Sequence, residues 1–333
     1  MSSVLNTVYQ TGPGFQPQTS MVRDVFSAEV WLSAMPILKF DQFTTRKTEL
    51  GTTKGRRIVM NKLGNIKRGG PLQEGVRVQA RPMSASETSI TVGEYGNAIA
   101  FTEQLLQQAF YDVMSAASIL LGRDMALVLD LGIRDALLTT ANIVYAAGKT
   151  SRASLIAGDV FDLQAVKDAV EILQTNNAPK WGGDHYVCFL TPHQARGLRD
   201  DPDWVAAHIY GQQQALYTGE IGRYEDVRFV ETTVMPSGAN LTKDPNTGDY
   251  VNVGADPNLA SGVGGNQTTI YKAIMFGEAA VAHATGLPVE LRDNGVEDYG
   301  REHGIMWYAI WGQGLYEALN SVIVETALAT TDN

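Results

Sequence analysis

Between residues 51 and 96, short stretches of alternating apolar and polar residues are separated by glycines. Residues 57–63, 76–80 and 88–92 each alternate with the period of a strand, and residues 64–75 form a glycine-rich tip. This pattern predicts a long hairpin, called the arm below. Because an isolated two-stranded ribbon is only marginally stable in water, we expect the arm to lie on another surface, most simply on a second copy of the chain.

The pattern changes to helical spacing after the arm. Residues 102–140 carry apolar side chains three and four positions apart and no proline, which predicts one or two long helices. Similar spacing predicts a helix at 22–39, and Pro36 is expected to end it. We expect a second unit to begin near residue 150 with a helix at 161–174 that Asp159 caps.

The C-terminal half alternates between strand patterns and loops. Residues 185–190 predict a buried strand, and Thr191 with Pro192 predicts the start of the next helix. A further strand is predicted at 227–231, followed by a surface loop at 241–267 that is rich in Gly, Asn and Asp. Long strands are predicted at 269–283 and 305–319, with an acidic loop at 285–304 between them. The order of elements indicates an α+β fold.

Composition places the chain among globular proteins. It has 333 residues, 44% of them hydrophobic and 19% charged, which predicts about two domains. The single cysteine, Cys188, excludes an intrachain disulfide framework. There is no signal-peptide pattern, and no apolar run approaches the roughly 18 residues of a membrane helix. We therefore expect a soluble protein made in the cytoplasm, with no membrane partner.

Charge is distributed unevenly along the chain. The formal net charge is −10, but residues 46–81 contain ten basic and two acidic side chains, or +8, which leaves −18 on the rest. A basic arm on an acidic body predicts attraction between arm and body. The net negative charge argues against nucleic-acid binding by the chain as a whole.

The motifs that suggest chemistry fail on spacing. Gly148-Lys149-Thr150 resembles the end of a phosphate-binding loop, but Ile143 stands where that loop needs glycine. The five histidines show no metal-ligand spacing, and Cys188 lies between apolar neighbours. We therefore expect no catalytic, cofactor-binding or metal site.

Five stretches, taken in order along the chain, resemble the major capsid proteins of tailed phages with the Hong Kong 97-type fold, in the branch found in N-four-like podophages. They are Val22-Arg23-Asp24-Val25-Phe26-Ser27 with Trp31-Leu32, Gly70-Pro71-Leu72-Gln73-Glu74-Gly75, Glu94-Tyr95-Gly96 through Phe101-Thr102-Glu103, Gly219-Glu220-Ile221-Gly222-Arg223 before Val227-Arg228-Phe229-Val230-Glu231, and Gly300-Arg301 with Trp307-Tyr308-Ala309-Ile310-Trp311-Gly312.

The resemblance implies a division of the chain into the parts of that fold. These are an N-arm at 1–21, the start of a peripheral domain at 22–50, an extended loop at 51–96, a spine helix with peripheral domain at 97–149, an axial domain at 150–268 that includes the surface loop, peripheral strands at 269–319 around the acidic loop, and a C-terminal segment at 320–333.

It also implies a function and partners. The chain would be a non-enzymatic structural subunit that forms hexamers and pentamers of an icosahedral head around double-stranded DNA, which it would not bind sequence-specifically. A separate scaffolding protein and a portal are expected partners, and a decoration protein is a possible one. The subunit would belong to the virion after assembly in the host cytoplasm.

The charge distribution adds a specific subunit interface to this picture. We expect the basic arm of one copy to contact acidic loop surface on its neighbour. The candidate residues are Arg56, Arg57, Lys62, Lys67, Arg68, Glu290, Asp293, Glu297 and Asp298.

Three alternatives remain open at this point. An encapsulin-type compartment shell would share the fold and add a cargo-peptide pocket. A nucleic-acid-binding arm would lose affinity steeply with salt. An α/β enzyme would need a convergent polar site, which the sequence does not reveal.

Overall fold

The computed structural model of the protein describes residues 39–52, 55–71, 74–75, 77–78, 80–109, 112–156, 158–205, 220–238, 241–244, 249–252 and 268–329. The predicted N-arm at 1–21, the predicted helix at 22–39 except its last residue, and most of the predicted surface loop at 241–267 lie outside the described residues.

The described residues contain helices and strands in mixed order. The helices are α1 (Glu49–Thr52), α2 (Glu103–Gln108), α3 (Val113–Leu137), α4 (Leu163–Thr175) and α5 (Pro192–Arg199). The strands are β1 (Thr45–Lys47), β2 (Arg57–Leu63), β3 (Ala85–Thr91), β4 (Gly93–Thr102), β5 (Ile143–Tyr145), β6 (Tyr186–Leu190), β7 (Glu220–Tyr224), β8 (Val227–Glu231), β9 (Leu241–Lys243), β10 (Tyr250–Asn252), β11 (Thr268–Phe276), β12 (Val281–Glu297), β13 (Glu302–Leu315) and β14 (Ser321–Ala329).

The strands form two main sheets and two hairpins. A six-stranded mixed sheet has the order β5-β14-β11-β6-β8-β7, and a four-stranded sheet has the order β1-β12-β13-β4. The pairs β2–β3 and β9–β10 are separate antiparallel hairpins. Because β11 and β12 follow each other but belong to different sheets, the chain passes directly from one main sheet to the other.

The six-stranded sheet is covered on both faces. One face packs on α4 and α5, whose apolar residues, such as Val166 and Leu198, are fully buried against strand residues such as Met275. The other face packs on the C-terminal half of α3 through Ile133 and Leu137. Burial on both faces explains why β6 is apolar at every position.

Helix α3 connects the two sheets. Its 25 residues span about 37 Å at the α-helical rise of about 1.5 Å per residue. Its N-terminal half packs Ala117 and Leu121 against Trp307 and Trp311 of the four-stranded sheet. The indole N–H of Trp307 also donates to the Asp124 carboxylate at 2.8 Å. The predicted long helix is thus confirmed, and it holds both sheets in one body.

Local signals placed several element boundaries correctly. The predicted strand at 57–63 is β2, and Thr191 caps α5 in a reciprocal capping box with Gln194. The predicted cap of α4 was wrong. Asp162 accepts from the Ala165 N–H at 2.9 Å and starts the helix, whereas Asp159 accepts from the Ile156 N–H in the preceding turn.

Three strand predictions were also wrong, one in the arm and two in the second half of the chain. The single strand at 269–283 is interrupted by a turn at Gly277, where any side chain would approach the Pro179 carbonyl oxygen to 2.2 Å. The described residues of 76–80 are not in a strand, because β3 alone completes the pairing with β2. Strand β13 ends at Leu315 rather than at residue 319.

The prediction of an acidic loop at 285–304 was also wrong, and this difference affects the candidate interface. Strand β12 continues to Glu297 and pairs with β13, so this segment is a projecting β-hairpin, called the acidic hairpin below (residues 285–304). The strand accommodates Gly286 and Pro288 because both fall at register shifts, where the ladder needs no backbone donor. Backbone pairing tolerates the polar side chains, because most of them face solvent.

Strand β14 is an element that the sequence prediction passed over. It lies inside the six-stranded sheet between β5 and β11, and Val322 and Val324 are fully buried. The segment at 320–329 is therefore part of the core rather than a terminal extension.

A buried histidine links subunit stability to pH. His283 in β12 is 7% exposed and packs against Trp311 at 6.0 Å between ring centroids. Burial lowers its pKa below the ordinary value of 6.5, the Arg46 charge lowers it further, and the Asp41 charge opposes both. The folded subunit therefore disfavours the protonated form of this ring.

We expect the unassembled subunit to lose thermal stability as pH falls through about 6.5, because the unfolded chain then binds a proton that the folded chain resists. His283→Asn is expected to flatten the dependence of Tm on pH between 7.5 and 5. Part of the slope should remain, because burial also lowers the pKa of His185. Parallel Tm profiles for wild type and variant would contradict this assignment.

Candidate subunit interface

The arm is anchored to its own chain at its base. Strands β2 and β3 pair from Arg57 opposite Thr91 to Leu63 opposite Ala85. Ile90 and Val92 are buried against Ala282 and Ala284 of β12, with Ile58 and Met60 half-buried beside them. Gly312 allows this approach, because a Cβ there would lie 2.3 Å from the Thr91 carbonyl oxygen. Only the base packs in this way.

The distal arm is exposed along its whole described length. Every described residue from 61 to 84 is exposed, and the tip is held by its own backbone bonds. The Gly64 N–H donates to the Ser84 carbonyl at 2.8 Å, and the Arg81 guanidinium donates to the carbonyls of Lys67 and Arg68 at 3.0 and 3.2 Å. The last predicted arm residues, 93–96, belong instead to β4 and pair with β13.

The five predicted basic residues fall into two groups. Arg56, Arg57, Lys67 and Arg68 are exposed, and none of them forms an ion pair with another described residue. The Lys62 ammonium instead pairs with the Glu317 carboxylate of the same chain. Four of the five side chains are thus available to a partner, and Lys62 holds the arm to the body.

The four predicted acidic residues lie on the acidic hairpin, but basic neighbours partly neutralise them. Glu290 pairs with Arg292 at 3.1 Å, and Asp298 pairs with Arg301 at 3.2 Å. Asp293 lies 3.3 Å from His303. Glu297 ends β12, and its side chain lies outside the described part of the structure. The prediction of an acidic segment did not weigh Arg292 and Arg301, which lie within the same stretch of sequence.

The structure does not bring the basic and acidic sets together within one chain. The base of the arm contacts β13 at Gly312, whereas the acidic hairpin begins to turn at Glu302. Ten residues of strand, about 33 Å at about 3.3 Å per residue, separate Gly312 from this turn, whereas Glu290 pairs with Tyr308, about 13 Å from Gly312. No ion pair between described residues joins the two sets, and their contact across two copies stays a prediction.

Exposed apolar side chains accompany both charged sets, and the sequence analysis did not select them. On the arm they are Val59, Leu63, Ile66, Val78 and Met83, which are 41–68% exposed. On the acidic hairpin they are Val289, Leu291 and Tyr299. The occurrence of apolar residues within the basic, glycine-rich arm was the sequence feature that could have indicated an apolar contact surface. Apolar surface of this kind on two projecting elements is typical of protein–protein contact sites.

The turn of the acidic hairpin presents its aromatic side chain to solvent. Asp298 and Tyr299 both have positive φ, 44° and 56°, which non-glycine residues rarely adopt. Tyr299 is fully exposed. At the adjacent strand, the Arg292 guanidinium lies 4.0 Å from the ring centroid of Tyr308. Tyrosine and arginine side chains are enriched at protein interfaces.

Three further observations concern Cys188, the grouping of metal-ligand residue types and the helices. Cys188 is completely buried, and burial raises the pKa of its thiol, so it is an unreactive core residue. Within the described ranges, no three or more His, Cys, Asp or Glu residues are grouped as metal ligands. No helix among the residues searched has the length and apolarity to cross a membrane.

Comparison with known proteins gives a family and a fold. A sequence model described as phage capsid protein matches residues 85–288. No curated protein sequence matches the chain.

The solved structures similar to this chain are phage capsids. The capsid of Ralstonia phage GP4 has a TM-score of 0.72 at 16% identity, over 97% of this chain and all of that one. The cyanophage Pam1 capsid has a TM-score of 0.71 at 14% identity, over 95% of this chain and 99% of that one. The cyanophage P-SCSP1u capsid has a TM-score of 0.67 at 17% identity, over 98% and 99%. The predicted α+β, Hong Kong 97-type fold is confirmed, and the encapsulin alternative is not favoured.

Proposed function

The chain belongs to the phage capsid protein family, and from that premise we propose that its copies assemble as hexamers and pentamers of an icosahedral phage head. As a major capsid protein it is a structural subunit of that head. The observation that carries the assembly proposal is the arm, whose base packs on the body while every described residue of its basic and apolar tip is exposed. Such a tip is stabilised only in a larger assembly.

The two sheets correspond, in this proposal, to the two domains of the capsid fold. The four-stranded sheet and α3 form the peripheral domain with its spine helix, and the six-stranded sheet with α4 and α5 forms the axial domain. This division differs from the one expected from sequence, because it assigns β5, β11 and β14 to the axial domain. The arm is the extended loop. A protein built in this way acts through repeated contacts rather than through catalysis.

The remaining partners also belong to the proposal. A scaffolding protein and a portal would direct closure of the shell in the host cytoplasm, and a decoration protein could bind its surface. Double-stranded DNA would be enclosed without sequence-specific contacts, which agrees with the net charge of −10.

Electron microscopy of the expressed chain, alone and with its scaffolding protein, tests the assembly proposal. Closed shells with five- and six-fold capsomers are the expected result. A chain that stays monomeric in both preparations and turns over a substrate would contradict it.

The proposed interface pairs the arm of one subunit with the acidic hairpin of its neighbour. The retained candidates are Arg56, Arg57, Lys67, Arg68, Glu290, Asp293, Glu297 and Asp298. Lys62 is set apart because its ammonium pairs with Glu317 in its own chain. A single exposed ion pair contributes at most about 1 kcal/mol, so the interface also needs the exposed apolar side chains of both elements.

Reversal of charge on the arm is expected to prevent assembly or make it strongly sensitive to salt. The variant carries Arg56→Glu, Arg57→Glu and Arg68→Glu, and the matched control carries lysine at the same three positions. The lysine control should assemble because it keeps the charge. Glu290→Lys with Asp298→Lys should partly restore assembly of the glutamate variant. Normal shells from the glutamate variant at unchanged salt tolerance would rule out the electrostatic interface.

A further inference from the structure

The acidic hairpin contains the one Asn–Gly pair in the sequence, Asn294-Gly295. The pair lies at a register shift between Asp293 and Val296, where the β12–β13 ladder is irregular. Gly295 has φ 73°, and Asn294 is exposed. Asparagine followed by glycine is the dipeptide most prone to ring closure, because glycine leaves its own backbone nitrogen unshielded.

Two neighbouring groups, Asp293 and Gly304, contact the atoms that ring closure would use, and His303 contacts Asp293. The Gly295 N–H donates to Asp293 Oδ1 at 2.7 Å. The Gly304 N–H, from the facing strand, donates to Asn294 Oδ1 at 2.8 Å. His303 Nε2 lies 3.3 Å from the same Asp293 oxygen. The side-chain amide of Asn294 therefore has near it the Gly295 nitrogen as nucleophile, the Asp293 carboxylate as proton acceptor and the Gly304 N–H as donor to the amide oxygen.

We propose that Asn294–Gly295 is a self-modifying site, at which the folded hairpin promotes succinimide formation and deamidation. The Gly295 nitrogen attacks Asn294 Cγ and forms the new C–N bond as its proton passes to the Asp293 carboxylate. The tetrahedral intermediate then expels the side-chain nitrogen, which takes up that proton and leaves as ammonia. Water opens the ring to aspartate or isoaspartate, and no oxidant, reductant or metal is needed.

Each contact has a definite role in this step. Negative charge develops on Asn294 Oδ1 in the intermediate, and the Gly304 N–H stabilises it as an oxyanion-hole donor does. Asp293 is the base, since its oxygen already lies within hydrogen-bonding distance of the attacking nitrogen. His303 is a positioning residue, because it contacts Asp293 rather than the reacting amide.

The site tolerates its own product. The register shift leaves this part of the strand without regular pairing, so the additional backbone methylene of isoaspartate would not break a continuous ladder. The new carboxylate can still accept from the Gly304 N–H. Each modified subunit gains one negative charge on the acidic hairpin, a change that goes beyond the assembly role proposed above.

The rate of deamidation in the folded, unassembled full-length chain tests the proposal. The reference is the same chain unfolded in guanidinium chloride at the same pH and temperature, followed by digestion and mass spectrometry. Asn97, which precedes Ala98, serves as an internal control. We expect the folded chain to gain the amide-to-acid mass shift at position 294 at least about tenfold faster than the unfolded chain, a threshold set below the roughly 10²- to 10⁴-fold that general acid–base catalysis typically contributes. A folded rate equal to or below the unfolded rate would overturn the proposal.

Variants distinguish the contribution of the Asp293 carboxylate from the intrinsic reactivity of the Asn–Gly pair. Asp293→Ala should slow modification of the folded chain at least about tenfold and leave the unfolded rate unchanged. Asn294→Gln should abolish it, and circular dichroism checks that both variants fold. His303→Gln should retain the rate that His303→Phe loses. A folded Asp293→Ala chain with the wild-type rate, or chain cleavage after residue 294 instead of deamidation, would contradict the mechanism. None of these outcomes depends on shell formation.

Discussion

A subunit whose arm tip is replaced by a two-residue turn is expected to fold normally and to form no shells. The replacement removes residues 64–84 and joins Leu63 to Ala85 through Asn-Gly. These two residues already face each other in the β2–β3 register, and Asn-Gly favours the type I′ turn that closes such a hairpin. The strands themselves are left intact.

Folding should survive because the deleted residues contribute no core. Every described residue among them is exposed, and their hydrogen bonds stay within the arm. Shortening the connection from 21 residues to two should stabilise the subunit by about 2 kcal/mol through loop entropy. Assembly should fail because the deletion removes Lys67, Arg68 and the exposed side chains of Ile66, Val78 and Met83.

Thermal unfolding, sedimentation and electron microscopy together measure the outcome. We expect an unchanged or higher Tm, a slowly sedimenting species and no closed particles. The matched control replaces the same residues with a glycine-serine segment of equal length, which keeps the reach of the arm and removes its side chains. It should also fold without assembling. Shells from either variant would show that the arm tip is not an assembly contact.

Features that depend on near neighbours in sequence could be predicted. The alternation of residues 57–63 gave β2, the long helical spacing gave α3, and Thr191 with Pro192 gave the start of α5. Each of these rests on a signal within a few residues of the element. The order of elements was sufficient to indicate the fold, because order survives errors of a few residues at each boundary.

Features that depend on distant pairing could not be predicted in the same way. Residues 285–297 carry Gly286, Pro288 and several acidic side chains, and only the ladder with β13 makes them a strand. Strand β14 resembles a tail until its neighbours β5 and β11 are known. In both cases tertiary pairing overrides local propensity.

The candidate interface also combines features that local sequence predicts with features that depend on distant contacts. Its charges could be counted from sequence, and their exposure was foreseen for Arg56, Arg57, Lys67 and Arg68. The Lys62–Glu317 ion pair joins residues 255 positions apart, so no local sequence pattern predicts it. The apolar residues of the arm stand in the sequence, but only the structure shows that they are exposed.

Asp130 and Arg134 illustrate a further limit, since both are charged residues of α3 that the structure buries. Sequence periodicity assigns such residues to the solvated face of a helix. Here Arg134 donates to the Val234 carbonyl, and Asp130 meets the chain that enters at residues 39–41. The helix therefore binds backbone as well as apolar side chains.

Removal of the Asp130 carboxylate is expected to be among the most destabilising single changes in the chain. Its oxygens accept from the backbone N–H groups of Lys39, Phe40 and Asp41 at 3.3, 2.8 and 3.2 Å. These bonds fix Phe40, which stacks on Phe189 in the six-stranded sheet at 4.1 Å between centroids. One carboxylate thus attaches the incoming chain to α3 and positions a core aromatic residue.

Burial raises the pKa of Asp130, and the three N–H donors hold it down against that effect. Asp130→Ala would leave the donors without their acceptor, at about 1–3 kcal/mol for each one that water cannot reach. We expect a loss of about 3–5 kcal/mol, measured as a lower urea midpoint of the unassembled subunit. Asp130→Asn keeps an accepting oxygen of similar size, so its loss should be smaller.

The contrast between the two substitutions is the informative measurement. If the carboxylate acts mainly as a hydrogen-bond acceptor for the backbone at residues 39–41, alanine must cost clearly more than asparagine. Equal losses would instead assign the effect to the negative charge, which interacts with the charge of Lys39. A midpoint for Asp130→Ala that equals wild type would mean that the entering chain is held by Phe40 packing alone, and the role assigned to this buried acid would be wrong.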